Sequence, residues 1–149
     1  VDGFAVGEYL KNNEKEIFDT LVRVPLKFRD MDYTQESHRG FHAPAISLTK
    51  DGDFHDIRFS IATMDVLDCR PDLMEKVYKA HRRFGKLLHD EKFQINFRLG
   101  PGDIYSFNNR RILHGRTAFD PNSGHRHLQG YYMDRDEIIG RLNFLKKNS

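Results

Sequence analysis

A chain of 149 residues that is 38% hydrophobic and 31% charged is long enough for one domain with a real core, since a chain of this size hides roughly 70% of its unfolded surface on folding. Its net charge of +2, with 24 Lys and Arg scattered rather than gathered in blocks, lacks the electrostatic footprint of a nucleic-acid binder. No apolar run approaches the ~18 residues that span a bilayer, so neither nucleic acid nor a membrane is an expected partner. Cys69 is the only cysteine, which excludes an intramolecular disulfide and a cysteine-based zinc site and favours a reducing compartment.

The chain opens on Val1-Asp2-Gly3-Phe4, with no signal or transit pattern, and reads as an internal cut through a longer protein. Ala5 to Asn12 has the pattern of a short helix. Asn13 is positioned to cap a second one, with Glu14 and Glu16 in its first turn and Ile17, Phe18, Leu21 and Val22 on its apolar face. Pro25 ends helical structure, and Val24 to Arg29 alternates like an edge strand. Residues 30–39 are polar and aperiodic, a surface loop carrying His38. Ala45–Thr49 and Phe54–Ile61 are strand candidates joined by Lys50-Asp51-Gly52-Asp53, whose Asp-Gly is a hairpin signal.

The clearest helix starts at Pro71 and carries Leu73, Val77, Ala80, Phe84, Leu87 and Leu88 at three- and four-residue spacing to about His89. His81, Arg82, Arg83 and Lys86 fall mostly off that stripe, as a solvated face would. Phe93 to Leu99 alternates, and Gly100-Pro101-Gly102-Asp103 turns the chain into Ile104-Tyr105-Ser106-Phe107. Asp134-Arg135-Asp136-Glu137 opens a last helix with Ile138, Ile139, Leu142 and Leu145 on its buried side. The predicted fold is mainly β with helices, a sandwich or barrel.

The chemistry concentrates in Asn108-Asn109-Arg110-Arg111-Ile112-Leu113-His114-Gly115-Arg116 and Arg126-His127-Leu128-Gln129-Gly130-Tyr131-Tyr132. His114, where strand patterning resumes, has two readings: a neutral imidazole offered to a metal, or a structural side chain. Arg126 either grips a carboxylate with its planar guanidinium or pairs with Asp120 or Asp103, and Arg116 is as readily a surface ion pair. Strand alternation from Arg126 places Leu128, Gly130 and Tyr132 on one face. Tyr132 then either supplies a π face to an ammonium group or packs in the core. His89-Asp90-Glu91 mimics part of a two-histidine, one-carboxylate iron triad, but it sits at the charged end of the long helix and is discounted. No nucleophile elbow, P-loop or dinucleotide glycine motif is present.

With these two motifs, Val1-Asp2-Gly3-Phe4, Val24-Pro25-Leu26, the long helix, Pro101-Gly102-Asp103 and the closing helix in order, the chain resembles the C-terminal part of Fe(II)/2-oxoglutarate dioxygenases. It is most similar to the gamma-butyrobetaine and trimethyllysine dioxygenase family. The resemblance implies that residues 1–149 are the C-terminal portion of one catalytic domain, a double-stranded β-helix (jelly roll) that is incomplete here. It implies Fe(II) and 2-oxoglutarate as cofactors, ascorbate as reductant, and hydroxylation of a small-molecule trimethylammonium carboxylate, gamma-butyrobetaine ahead of trimethyllysine, in carnitine biosynthesis. A homodimer is the expected assembly, in the cytoplasm, or in mitochondria on the trimethyllysine reading.

Residue by residue, the resemblance makes His114 the distal iron ligand, Arg126 the grip on the far carboxylate of 2-oxoglutarate, and Tyr132 part of the trimethylammonium pocket. The chain departs from the pattern in three ways. The His-x-Asp that supplies the other two ligands belongs upstream of Val1. Ser60 falls near a position where butyrobetaine enzymes carry asparagine facing the substrate, and Arg110 replaces a tryptophan common in animal members. An inactive jelly-roll fragment or binding module is the rival expectation.

Overall fold

The computed structural model describes residues 1–29, 40–118, 120, 122, 124 and 127–148. Helix α1 (Gly3–Asn13) starts at Asp2, whose carboxylate accepts hydrogen bonds from the Phe4 and Ala5 amides. Its first-turn donors are thereby satisfied. Helix α2 (Lys15–Arg23) follows after one residue, and its N-cap is Glu14, not Asn13 as the sequence predicts. Asn13 instead remains in α1 and donates from its side-chain amide to the Tyr9 carbonyl, while Glu14 is claimed from outside by Arg83 at 2.6–3.0 Å. That two-pronged contact ties the α1–α2 joint to helix α3 (Pro71–Leu88). It holds the Glu14 carboxyl below its ordinary range, chiefly through hydrogen bonding.

The predicted stripe of α3 is the one that packs. Val77, Ala80, Phe84, Leu87 and Leu88 are buried against Val6 and Leu10 of α1 and Phe18 and Leu21 of α2, and Leu73 packs at the edge of this cluster. Strands β1 (Leu26–Arg29) and β2 (Gly40–Ala43) form one antiparallel pair, with Phe28 opposite Phe41. Strands β3 (Ile46–Leu48) and β4 (Phe54–Ile57) form another, with Ile46 opposite Ile57. The expected hairpin connects them. Gly52 takes φ +89°, which costs glycine nothing, and the Thr49 and Asp53 backbones close the loop. Strand β2 is absent from the sequence expectation, and the loop expected at residues 30–39 lies outside the described residues.

The mainly-β expectation is corrected by residues 94–107. They alternate as strands should but form none among the described residues, and Ile95, Phe97 and Ile104 are exposed. Alternation decides which side chains share a face, whereas a strand also needs a neighbour's N–H and C=O groups. A short 3-10 turn, Glu91–Phe93, begins this segment. The described residues therefore contain more helix than strand, and the two small sheets do not close a jelly roll.

The chain divides into two units, Val1–Gly115 and Arg116–Ser149. The second contains helix α4 (Arg135–Lys147), capped as predicted by Asp134, which accepts from the Asp136 amide. Its stripe of Ile138, Ile139, Leu142 and Leu145 is exposed rather than buried, because α4 is the only helix or strand among the described residues of that unit. No described helix is long and apolar enough to cross a membrane.

Candidate functional site

The first unit holds His114 in place through its backbone. The Val1 and Leu113 main chains exchange hydrogen bonds at 2.9 and 3.0 Å, and the Gly3 amide donates to the Arg111 carbonyl at 2.9 Å. From the other side, the Ile57 amide at the end of β4 donates to the Arg110 carbonyl at 2.8 Å. Residues 110–113 are thus threaded between the N-terminal segment and β4. Around His114 the sequence predicts a strand, but the chain makes a turn through 109–111 and a single bridge between Asp2 and Ile112. The Arg111 guanidinium reinforces that bridge with a two-pronged contact to Asp2 at 2.5–3.1 Å.

His114 lines a cavity of about 490 Å³ with Phe28, Phe41, Asp56, Arg58, Phe59, Ser60 and Arg110. Its ring lies 4.8 Å from that of Phe107, and its nitrogens make no hydrogen bond among the described residues. An imidazole seated this way can offer a lone pair into the cavity. Asp56 is the only buried charged residue among those described. It is the third residue of β4, Arg58 follows the last residue of that strand, and the two form an ion pair. The Arg58 guanidinium also donates to Ser47 Oγ at 3.4 Å and lies 5.9 Å from the centre of the Phe41 ring. A carboxylate this buried requires such a partner, because leaving it unpaired is far more costly than pairing it.

The opposite wall is rigid for a packing reason. Phe59 stacks on His81 at 4.9 Å and 15°, meets Phe84 edge-on at 5.7 Å, and approaches Gly85 so closely that an added Cβ would lie 3.0 Å from its ring. Burial of His81 holds its imidazole below the ordinary value of 6.5. Phe28 stacks on Phe41 at 5.5 Å. Ser60 keeps its hydroxyl for the following turn, where it accepts from the Thr63 amide.

Arg126 lies outside the described residues. Tyr132 is in the second unit, where residues 127–134 form no strand and its side chain is 89% exposed. The alternation used to orient it is therefore not formed, and its assignment rests on resemblance. Outside the cavity, the His89 ring meets the Gly85 carbonyl at 2.8 Å, and Asp90 caps the 3-10 turn.

Residues 1–132 match the family described as taurine catabolism dioxygenase TauD, TfdA family. The chain belongs to this family of dioxygenases. It is 37% identical over 147 residues to a gamma-butyrobetaine dioxygenase of Pseudomonas sp. (strain AK-1), a match that covers 99% of this chain and 38% of that protein. The gamma-butyrobetaine dioxygenase of Homo sapiens is 33% identical over 151 residues, covering 99% and 39%. A trimethyllysine dioxygenase of Meyerozyma guilliermondii is 28% identical over 148 residues, covering 97% and 36%. The chain thus spans about two fifths of the length of the curated relatives it matches. Family membership brings the jelly-roll class, and the described strands form two separate antiparallel pairs.

The donor set tests whether a metal fits. His114 is suited by its free nitrogens, but no group of three His, Cys, Asp or Glu able to hold a metal occurs among the described residues. The nearest cavity carboxylate, Asp56, is committed to Arg58. One imidazole does not hold a metal, so the described residues by themselves do not fit a complete iron site. The residues missed by sequence reading are Asp56 and Arg58 with the Phe28, Phe41 and Phe59 wall. The alternation His55-Asp56-Ile57-Arg58, which places opposite charges on one strand face, is the signal that would have found the pair.

Proposed function

We propose that this chain is the C-terminal portion of a single dioxygenase domain that hydroxylates a trimethylammonium carboxylate, gamma-butyrobetaine to carnitine, with Fe(II) and 2-oxoglutarate. The observation that carries this reading is the cavity beside His114, which pairs phenyl rings with guanidinium groups. A quaternary ammonium is attracted to ring faces by roughly 0.5–2 kcal/mol, and a carboxylate to a guanidinium. The Phe41 ring already accepts the Arg58 cation. Both kinds of group in one cavity suit a small zwitterion.

In this proposal His114 contributes one iron ligand, Arg126 grips 2-oxoglutarate and Tyr132 joins the ammonium pocket. The other ligands come from residues outside those described. Iron and 2-oxoglutarate, when bound, would supply the oxidation, and this chain's residues would orient the substrate. Names of relatives support both trimethylammonium substrates, and the higher identity to butyrobetaine enzymes favours the first. The test assays the intact protein with gamma-butyrobetaine and with trimethyllysine, following succinate. Faster turnover of gamma-butyrobetaine is expected; turnover of trimethyllysine alone would move the reading to that substrate, and turnover of neither would overturn it.

A further inference from the structure

We propose that Arg110 is a specificity-determining residue that binds the carboxylate end of the substrate in the His114 cavity. The inference rests on the proposed trimethylammonium-carboxylate reading and names the group that recognises the anionic end.

Three charged side chains line the cavity, Asp56, Arg58 and Arg110. Asp56 and Arg58 neutralise each other in an ion pair, and Arg58 is further held by Ser47 and the Phe41 ring. Arg110 has no carboxylate partner among the described residues, so the cavity retains one uncompensated positive charge. That charge sits on the side chain best suited to a carboxylate, because the planar guanidinium offers parallel N–H donors and stays protonated.

The location of Arg110 is fixed although its side chain is exposed. Its carbonyl accepts from the Ile57 amide at 2.8 Å, and its own amide donates to Asn108 Oδ1 at 3.0 Å. The backbone is anchored at the cavity rim, four residues before His114, while the side chain makes no ion pair or hydrogen bond among the described residues. Ser60, on the same cavity, accepts from the Thr63 amide and has a single neutral O–H to donate, a weaker hold on a carboxylate than the charged, parallel N–H groups of Arg110. An anionic end at Arg110 leaves the Phe59 ring, on the same cavity, for the ammonium end.

The test uses the intact protein and the variants Arg110→Met and Arg110→Lys. For turnover of gamma-butyrobetaine, Arg110→Met is expected to raise KM at least tenfold with kcat within threefold and the KM for 2-oxoglutarate unchanged. Arg110→Lys should recover part of the loss. An unchanged substrate KM, or an equal rise for 2-oxoglutarate, would overturn the inference.

A second readout does not depend on turnover. Butyrate and butyramide are titrated into 15N-labelled metal-free protein while the amides of Ser60 and residues 110–114 are followed. Butyrate alone should shift them, and Arg110→Met should abolish the shift. Equal responses to the two compounds, or a butyrate shift that survives in Arg110→Met, would refute an anion subsite at Arg110. If the butyrate response depends on Arg110 while neither trimethylammonium substrate turns over, the subsite stands and the proposed reaction falls.

Discussion

Asp2 and Arg111, 109 residues apart, form a two-pronged ion pair at the point where the first turn of α1 meets the segment leading to His114. One carboxylate both caps the helix and fastens the site. Hydrogen bonding from Arg111, against the opposing effect of burial, holds the Asp2 carboxyl below its ordinary value of 3.8. A lowered native pKa means that the unfolded chain binds the proton more readily. The stabilisation is therefore complete above pH 3.8 and is lost as the pH falls through the lowered native value. Asp2→Asn should abolish this acid limb through loss of the charged contact to Arg111 while keeping the cap, since asparagine caps a helix about as well as aspartate. Urea unfolding of the wild type and variant between pH 3 and 7 checks it, and parallel curves would contradict the assignment.

Gly3 allows the same junction to close. A Cβ built there would lie 2.9 Å from the Arg111 carbonyl oxygen and 2.9 Å from Ile57 Cγ2, so backbone on one side and a core side chain on the other leave no room for it. Gly3→Ala should destabilise by about 1–3 kcal/mol, as overpacking does, and should accelerate hydrogen exchange at the Leu113 and Ile57 amides. Those amides bond to Val1 and Arg110. Unchanged exchange there would show that the junction tolerates the methyl group.

These two residues also mark what the sequence made legible. Helix α3 was readable because its apolar residues recur locally, and the β3–β4 hairpin because Asp51-Gly52 encodes its own turn. The pairing of Val1–Gly3 with Arg111–Leu113 has no local signal, since the partners are set by the tertiary fold. Residues 94–107 failed for the complementary reason, having the period of a strand but no neighbouring ladder. At the site, His114 was legible from its motif, whereas the charge balance among Asp56, Arg58 and Arg110 required knowing which side chains share a cavity.

His81 predicts a second pH dependence. Its lowered pKa comes from burial beside Phe59, so the unfolded chain takes up the proton first as the pH falls. Stability contributed by the neutral ring is complete above pH 6.5 and declines as the pH falls from there toward the lowered native value. His81→Phe keeps a flat ring against Phe59 without a titrating group. The drop in urea midpoint between pH 8 and pH 5.5 should be smaller in this variant than in the wild type; an equal drop would assign the effect to other groups.

Two of the three residues assigned by resemblance, His114 and Arg126, predict separable losses in the intact protein. His114 lines the cavity with its ring nitrogens unengaged among the described residues, so His114→Ala removes the proposed ligand without removing a packed core side chain. Iron-dependent turnover should disappear and iron affinity should fall, while the melting temperature of the metal-free protein changes little. Arg126→Ala should instead raise the KM for 2-oxoglutarate by at least tenfold and leave substrate KM within about threefold, as expected for loss of a charge-assisted contact worth roughly 1.5–3 kcal/mol. Retained turnover in His114→Ala would exclude the ligand role. Equal weakening of both compounds in Arg126→Ala would exclude the cosubstrate grip, because a residue that merely maintained the fold would not distinguish between them.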